Sequence, residues 1–161
     1  MRKPIQELRQ DIIFSANLRG HNFTFHTTWG LFSPQHVDKG SGLLLDYIAI
    51  PASATVLDVG CGYGAIGLPL AKLSPAGKIH MVDSNFVAVE YAKKNVSINK
   101  LTNCKVYLSN LLSQVPDLKF DCIVSNLPAK AERELFDILL IDAKEHLKPG
   151  GVIYLVSIIG L

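Results

Sequence analysis

The sequence predicts an α/β fold in which a parallel sheet carries helices on both faces. Three observations predict it. Strand-length and helical segments alternate after Pro51, the predicted strands contain apolar runs rather than a strict apolar-polar alternation, and glycine and polar residues collect where those strands end. Strands that alternate with helices pair in parallel through right-handed crossovers, and continuously apolar strands fit a sheet that is covered on both faces.

Size and composition fit one domain with a sizeable core, because the chain has 161 residues, of which 48% are hydrophobic and 19% charged. We divide this domain into a preface, residues 1–50, and a core, residues 51–161. In the preface, residues 2–18 are predicted to form a short amphipathic helix. The segment HNFTFHTTWGLFS (21–33) predicts a strand, a turn and a short second strand, and DKGSGLLLDYIAI (38–50) predicts a helix capped near Ser41.

The core repeats a strand, a loop and a helix. The predicted strands are TVLDVG, KIHMVD, CKVYLS, FDCIVSN and GGVIYLVSI, and the predicted helices are AIGLPLAKLS, FVAVEYAKKNVSIN and ERELFDILLIDAKEHL. Ligands of such sheets bind beyond the carboxyl ends of the strands. We therefore expect the functional site where the glycine-rich and polar strand ends meet.

Charge and cysteine usage exclude several classes of protein. The formal net charge of +2 is too small to require an acidic partner. The three cysteines, Cys61, Cys104 and Cys122, are odd in number and widely spaced, which argues against a disulfide framework or a zinc site and suits a reducing cytoplasm. No signal peptide is evident, and the apolar runs are too short to span a bilayer. We expect a cytoplasmic protein without a metal or a membrane segment.

The first core strand ends in LDVGCGYGAIG, which predicts a nucleotide-cofactor site. Glycines at 60, 62 and 64 allow a tight turn and close approach of a ligand, and Asp83, at the end of the next strand, can accept hydrogen bonds from ribose hydroxyls. Both NAD and S-adenosylmethionine fit this pattern. Asp58 favours S-adenosylmethionine, because a carboxylate beside the loop attracts a cationic cofactor and repels a pyrophosphate.

At this point the sequence resembles a class I S-adenosylmethionine-dependent methyltransferase with a Rossmann-like sheet. The residues that carry the resemblance are VLDVGCGYGAIG, Asp83, the Asn-x-Pro after FDCIVS, and the lead-in GLFSPQHVDKGSGLLLDYI. The lead-in is similar to that of the small-domain group, which includes enzymes that methylate the 2-amino group of guanine in ribosomal RNA. The resemblance implies S-adenosylmethionine as cofactor and an RNA substrate as partner.

The resemblance also assigns site residues. It implies that the loop formed by Asp58, Gly60, Cys61, Gly62 and Gly64 holds the methionine part of the cofactor, and that Asp83, next to Ser84, takes the ribose hydroxyls. Asn110, followed by Leu111, stands where the family usually has Asp near the adenine amine. The preface, through Phe32, Lys39, Gly40 and Ser41, is expected to close over the cofactor.

The expected catalytic residues are Asn126, Leu127 and Pro128. The family motif is Asn-Pro-Pro-aromatic, and this chain reads Asn126-Leu127-Pro128-Ala129. Two acceptors, the Asn126 side-chain oxygen and the residue 127 carbonyl, can hold the two N–H bonds of an exocyclic amine and aim its lone pair at the methyl group. Pro128 restricts residue 127 to extended conformations. The ring that usually follows is absent at Ala129, so Trp29 or a preface phenylalanine is a candidate replacement.

Two questions stay open at this stage. The acceptor amine is expected in ribosomal RNA, but a protein glutamine, a DNA adenine, or a cofactor-binding module without activity are alternatives. The family's sheet also has two further strands after the fifth, whereas this chain stops at Leu161. We therefore expect either a truncated chain or a dimer partner or other neighbour that covers the apolar edge at 152–158.

Overall fold

The protein consists of a two-stranded hairpin followed by a five-stranded parallel sheet, in a computed structural model that describes Ile5, residues 10–127 and residues 133–157. The hairpin strands are β1 (Ile12–Leu18) and β2 (His21–Thr27). They are followed by α1 (Lys39–Tyr47), β3 (Thr55–Val59), α2 (Gly67–Leu73), β4 (Lys78–Asp83), α3 (Phe86–Ile98), β5 (Cys104–Leu108), β6 (Phe120–Leu127), α4 (Arg133–His146) and β7 (Leu147–Ser157).

The strands of the sheet lie in the order β5-β4-β3-β6-β7, and all four pairings are parallel. The chain runs outward from β3 to β5, then returns to the other side of β3 with β6 and β7. This reversal leaves a crevice between the carboxyl ends of β3 and β6, which is where open α/β sheets bind ligands. The predicted fold class, a parallel sheet flanked by helices, is confirmed.

Helices cover both faces of the sheet and form two apolar cores. The first core joins α1, α2, α3 and the hairpin to one face and contains Phe23, Phe25, Leu45, Ile79 and Met81. The second core lies under α4 and the 111–115 segment on the other face and contains Leu57, Phe120, Ile123 and Leu139. The first apolar cluster contains residues from both 1–50 and 51–161. These two parts of the sequence therefore share one apolar interior.

The predicted helix over residues 2–18 is wrong for its second half, since Ile12–Leu18 forms β1 and pairs antiparallel with β2. Arg19 and Gly20 make the two-residue turn, with φ of 53° and 83°. Two successive left-handed residues match the twist of antiparallel strands, so the turn selects a hairpin. The part of the predicted helix before residue 10 lies, apart from Ile5, outside the described residues.

The predicted short strand at the end of HNFTFHTTWGLFS is also wrong, since bends and turns follow β2. Gly30 has a φ of 96° and Ser33 a φ of 47°, and neither residue is extended at these values. The sequence predicts the N-terminal cap of α1 near Ser41, but the N-cap is Asp38. Its carboxylate accepts hydrogen bonds from the Gly40 and Ser41 amides. A carboxylate is favoured there because the first helical N–H groups lack partners.

Side-chain amides of α3 fasten the hairpin to the rest of the protein. Asn99 donates to and accepts from the Thr24 backbone, at 2.8 and 3.0 Å. Asn95, which is fully buried, does the same with the His26 backbone at 2.9 and 2.7 Å, and it also donates to the Tyr63 carbonyl in the glycine-rich loop. At the hairpin turn, Arg19 donates to the Leu45 and Ile48 carbonyls at the end of α1.

The last strand, β7, pairs with β6 as predicted, with Val124 opposite Tyr154. Within the described part of the chain, no strand pairs with its other side. Large apolar side chains are exposed on β7 and on α4, including Val152 at 48% on β7 and Ile138, Leu140 and Ile141 on α4.

Candidate functional site

A cleft of about 260 Å³ lies at the carboxyl ends of the strands, at the reversal of strand order. Its lining comes from the ends of β3, β4 and β6, the segment after β5, and α4. The lining residues are Val59, Gly60, Asp83, Ser84, Ser109, Asn110, Leu111, Ser125, Asn126, Leu127 and Leu135. Seven of these are predicted site residues: Gly60, Asp83, Ser84, Asn110, Leu111, Asn126 and Leu127.

The glycine-rich loop folds against the end of β4. Gly60 and Cys61 donate their N–H groups to the Val82 carbonyl at 2.8 and 2.9 Å. Gly60, Gly62 and Gly64 all have positive φ, at 72°, 55° and 100°, which side chains disfavour. A Cβ at Gly60 would meet no atom within 4 Å, so the backbone there is open to a ligand.

Asp83 connects the loop to the next helix. Its Oδ2 accepts the Gly62 N–H at 2.9 Å, and its Oδ1 accepts the Asn85 N–H at 2.9 Å. The side chain lines the cleft and is only partly buried. Since each carboxylate oxygen has more than one acceptor position, Asp83 retains capacity for ligand hydroxyls.

Asp58 lies fully buried behind the loop, near the end of β3. Neither of its side-chain oxygens has a hydrogen-bond partner of normal geometry in the described part of the chain. Burial raises the pKa of Asp58 to about 7; the nearby Gly67 amide opposes this rise and the charge of Asp83 adds to it. An unpartnered buried carboxylate is costly when ionised, and a cation placed close to it would relieve that cost.

Asn126, near the end of β6, is held by the start of α1. Its Nδ2 donates to Asp38 Oδ2 and to Ser41 Oγ, both at 3.0 Å. The two amide hydrogens are therefore both used, which leaves Oδ1 as the available acceptor beside the cleft. Gly40 fits closely here, since a Cβ would lie 3.4 Å from both Asn126 amide atoms.

The rest of the β6 end is firmly placed. Ser125 is buried and donates from Oγ to the Val59 carbonyl at 2.7 Å, which joins β6 to the end of β3. Leu127 is buried and ends the strand. Pro128 and Ala129 lie outside the described residues, so the predicted role of Pro128 and the ring substitution at Ala129 stay predictions.

The remaining predicted residues divide into two groups. Asp58, Cys61, Gly62 and Gly64 form the inner part of the loop rather than the cleft lining, and Gly40 and Ser41 adjoin the cleft through Asn126. Phe32 and Lys39 are solvent-exposed and are not among the cleft-lining residues; Phe32 is 65% exposed. The Tyr63 hydroxyl donates to the Ser33 and His36 carbonyls and so ties this stretch of the preface to the loop.

Sequence reasoning missed Asp38, Ser109 and Ser125. Ser109 Oγ donates to the Leu111 carbonyl and accepts the Gln114 N–H, which shapes the turn after β5. Asp38 had a readable signal, since Asp is one of the residues preferred at the N-cap and here it stands just before a predicted helix. Its contact with Asn126, 88 residues away, had none.

A larger cavity, of about 570 Å³, lies between α4 and β7 and includes Lys119, Lys144 and Lys148. The described residues that line it include no carboxylate and none of the strand-end glycines, so we place the functional site in the smaller cleft. Among the described residues, no three His, Cys, Asp or Glu side chains are grouped to hold a metal ion. The helices in that same part of the chain are all too short or too polar to cross a membrane.

Known proteins are similar to this chain over most of its length. The family model described as "Methyltransferase small domain" matches residues 22–159. The chain is 41% identical over 145 residues to the uncharacterized protein YbxB of Bacillus subtilis, covering 89% of this chain and 72% of that protein. It is 38% identical over 141 residues to Ribosomal RNA small subunit methyltransferase C of Haemophilus influenzae strain Rd, covering 84% of this chain and 42% of that protein.

A solved structure matches as well. It is the T. Thermophilus 16S rRNA methyltransferase RsmC in complex with AdoMet and guanosine, with a TM-score of 0.79 and 30% identity over 90% of this chain and 41% of that one. This chain therefore spans about two-fifths of the length of the ribosomal RNA methyltransferases described here.

Proposed function

The chain belongs to the methyltransferase small domain family, and from this premise we propose that it transfers the methyl group of S-adenosylmethionine to the 2-amino group of a guanine in ribosomal RNA. Two relatives support this substrate: one is named as a methyltransferase of the small-subunit ribosomal RNA, and the other was solved with AdoMet and guanosine. An RNA acceptor of this kind also implies a cytoplasmic location.

One observation carries the proposal: a single cleft is lined by Asp83, by the open backbone of Gly60 and by Asn126, whose amide oxygen accepts no hydrogen bond from the described residues. The first two features suit a nucleoside cofactor. The third suits an acceptor group that brings N–H donors. A cleft with both kinds of feature is what a group transfer between a nucleoside cofactor and an amine requires.

The residues fit S-adenosylmethionine, which supplies an electrophilic methyl group on a sulfonium when bound. Asp83 has acceptor capacity for two ribose hydroxyls, and Gly60 leaves room for close approach. Asp58 is buried and has no hydrogen-bond partner of normal geometry among the described residues, so it favours a cationic ligand nearby. Asn110 and Leu111 line the cleft on the β5 side, where we assign the adenine.

Asn126 and Leu127 are the proposed acceptor-binding residues. The Asn126 Oδ1 and the Leu127 carbonyl would each accept one N–H of the amine, which draws the nitrogen toward tetrahedral geometry and frees its lone pair. An aryl amine is a weak nucleophile because that lone pair is delocalised. The residues therefore act by positioning and by electrostatic stabilisation, and a strong base is unnecessary. We assign Phe32, Lys39 and the start of α1 to a lid over the bound cofactor.

The test is transfer of labelled methyl from S-adenosylmethionine to total RNA, with DNA and protein as parallel acceptors, followed by nucleoside analysis. We expect label in RNA, recovered as N2-methylguanosine. Asn126→Ala should reduce turnover about 100-fold with little change in cofactor affinity, because its hydrogen bond matters most in the transition state. Label in DNA or protein alone, or cofactor binding without transfer to any acceptor, would contradict the proposal.

The partner of β7 also stays a prediction. We propose that a second copy or another neighbour covers the open side of β7, because this side pairs with no strand of the described chain and apolar side chains are exposed on β7 and on α4. Light scattering over a concentration series measures this directly. A monomer that stays soluble at high concentration would show that the edge needs no cover.

A further inference from the structure

We propose that Asp38 is a positioning residue for the transfer reaction: it holds the Asn126 amide so that Oδ1, and not Nδ2, faces the acceptor amine. The inference rests on the proposed function, since it assigns a role to Asp38 in the same site. It concerns the orientation of one side chain and the charge that fixes this orientation.

The geometry of Asp38 is unusual for a helix cap. One oxygen, Oδ2, accepts three hydrogen bonds: from the Gly40 N–H at 3.0 Å, from the Ser41 N–H at 3.2 Å, and from Asn126 Nδ2 at 3.0 Å. The first two bonds are those of an ordinary N-cap. The third reaches across to the end of β6, and helix formation alone does not require it.

The orientation of an asparagine amide is not fixed by its shape, because the oxygen and the NH₂ group are nearly the same size. Here the neighbours decide it. A reversed amide would place Oδ1 about 3 Å from the Asp38 carboxylate, which is an unfavourable contact between two acceptors. It would also turn two N–H donors toward an amine that itself needs acceptors. Asp38 therefore selects the one orientation that can bind the substrate.

The Asp38 carboxylate also strengthens the hydrogen bond that the acceptor amine donates to Asn126 Oδ1. Positive charge develops on the amine nitrogen as it attacks the methyl group, and Asp38 places a negative charge one amide group away. Hydrogen bonds arranged in a chain polarise one another, so the bond between Nδ2 and the carboxylate makes Oδ1 a better acceptor. This contribution grows toward the transition state, where it lowers the barrier.

Gly40 completes the arrangement by leaving space. A Cβ on Gly40 would lie 3.0 Å from Asp38 Oδ2 and 3.4 Å from both atoms of the Asn126 amide. The glycine therefore lets the cap and the strand end approach closely enough for the carboxylate to serve both. This is a role for Gly40 beside the amide, distinct from contact with the cofactor.

The variant that separates capping from positioning is Asp38→Ser. Serine caps helices about as well as aspartate, but its side chain is one carbon shorter and carries no charge, so it cannot keep the bond to Asn126. We expect a turnover lower by about 10- to 50-fold at saturating substrates, an unchanged dissociation constant for S-adenosylhomocysteine, and a melting temperature close to that of the unmodified protein. Asp38→Asn keeps an acceptor oxygen without the charge and should show a smaller loss.

A double-mutant cycle with Asn126→Ala decides whether Asp38 acts through Asn126. In the Asn126→Ala background, Asp38→Ser should lower turnover no further. A further loss as large as in the unmodified background would mean that Asp38 acts by another route and would overturn the inference. If Asn126→Ala itself left turnover unchanged, the proposed mechanism would fail instead, so the two failures are distinguishable.

A second measurement needs neither cofactor nor activity. In the free protein, the two side-chain N–H resonances of Asn126, assigned with the Asn126→Ala variant, should be displaced from free-amide positions because both hydrogens are bonded. Asp38→Ser should move one of them back toward the free value. Resonances that are identical in the two proteins would show that Asp38 does not hold the amide.

Discussion

The buried carboxyl of Asp58 makes the stability of the protein dependent on pH in an unusual direction. Its pKa is raised from 3.8 to about 7 by burial, with no hydrogen-bond partner of normal geometry in the described chain to stabilise the charge. Between these two values the folded protein keeps the proton while the unfolded chain has lost it. The free energy of unfolding should therefore fall as pH rises from about 4 to 7, and level off above 7.

The size of the effect follows from the two pKa values. Each tenfold difference in proton affinity is worth about 1.4 kcal/mol, so a rise from 3.8 to about 7 corresponds to on the order of 4 kcal/mol when the loss is complete. Asp58→Asn replaces the acid by a neutral group of the same shape. The variant should be more stable than the unmodified protein, by a margin that grows by about 2.5 kcal/mol between pH 5 and pH 8.

Urea denaturation of both proteins without cofactor at several pH values measures this margin, since the midpoint and slope give the free energy of unfolding. Asp117→Asn, which removes an exposed carboxylate, controls for the change in net charge. A margin that stays constant within about 0.5 kcal/mol across the range would refute the reasoning, because it would mean that Asp58 is already ionised and satisfied in the folded state.

Three further predictions concern other parts of the structure. Asp83→Ala should weaken binding of S-adenosylhomocysteine by about 2–4 kcal/mol in a calorimetric titration; unchanged affinity would remove Asp83 from the cofactor site. Asn95→Ala should lower the free energy of unfolding by about 2–4 kcal/mol, because it removes three hydrogen bonds of a buried side chain, and a loss below 1 kcal/mol would contradict that role. Burial raises the pKa of Asp11, but hydrogen bonds from Lys94, His26 and Tyr91 outweigh it and lower the pKa from 3.8 to about 2. Asp11 therefore contributes to the free energy of unfolding above pH 3.8, and this contribution is lost as pH falls toward 2. When the free energy of unfolding is measured against pH in acid, the Asp11→Asn variant should lack this loss.

The sheet could be predicted from the sequence because its strands and helices differ in pattern. β3, β4 and β6 each bury four consecutive residues, most of them apolar, which distinguishes them from the amphipathic helices between them. The hairpin could not be predicted in the same way. The apolar-polar alternation in Ile12–Leu18 is interrupted at Ile13, and the turn is Arg19-Gly20 rather than the Asn-Gly or Asp-Gly pair that marks such turns.

The candidate site, like the fold, could be predicted only in part. Gly60, Asp83 and Asn126 could be placed together because each follows a predicted strand, and the carboxyl ends of parallel strands meet at one edge of the sheet. The contact between Asp38 and Asn126 depends on how α1 docks on β6. Docking is decided by packing in three dimensions, and a local pattern around residue 38 contains no information about a partner 88 residues away.

The pairing of α3 with the hairpin has a consequence for how this protein can change in length. Asn95 lies on α3 and Asn99, four residues later, is the C-cap of this helix; their partners, His26 and Thr24, are two residues apart on β2. Four helical residues advance about 6 Å and two strand residues advance about 6.6 Å. The two distances are nearly equal, so both asparagines reach their partners on the strand. Inserting or deleting one residue between the paired positions in either element would break this agreement. Changes in length between the paired positions are therefore tolerated only as compensating changes in both elements.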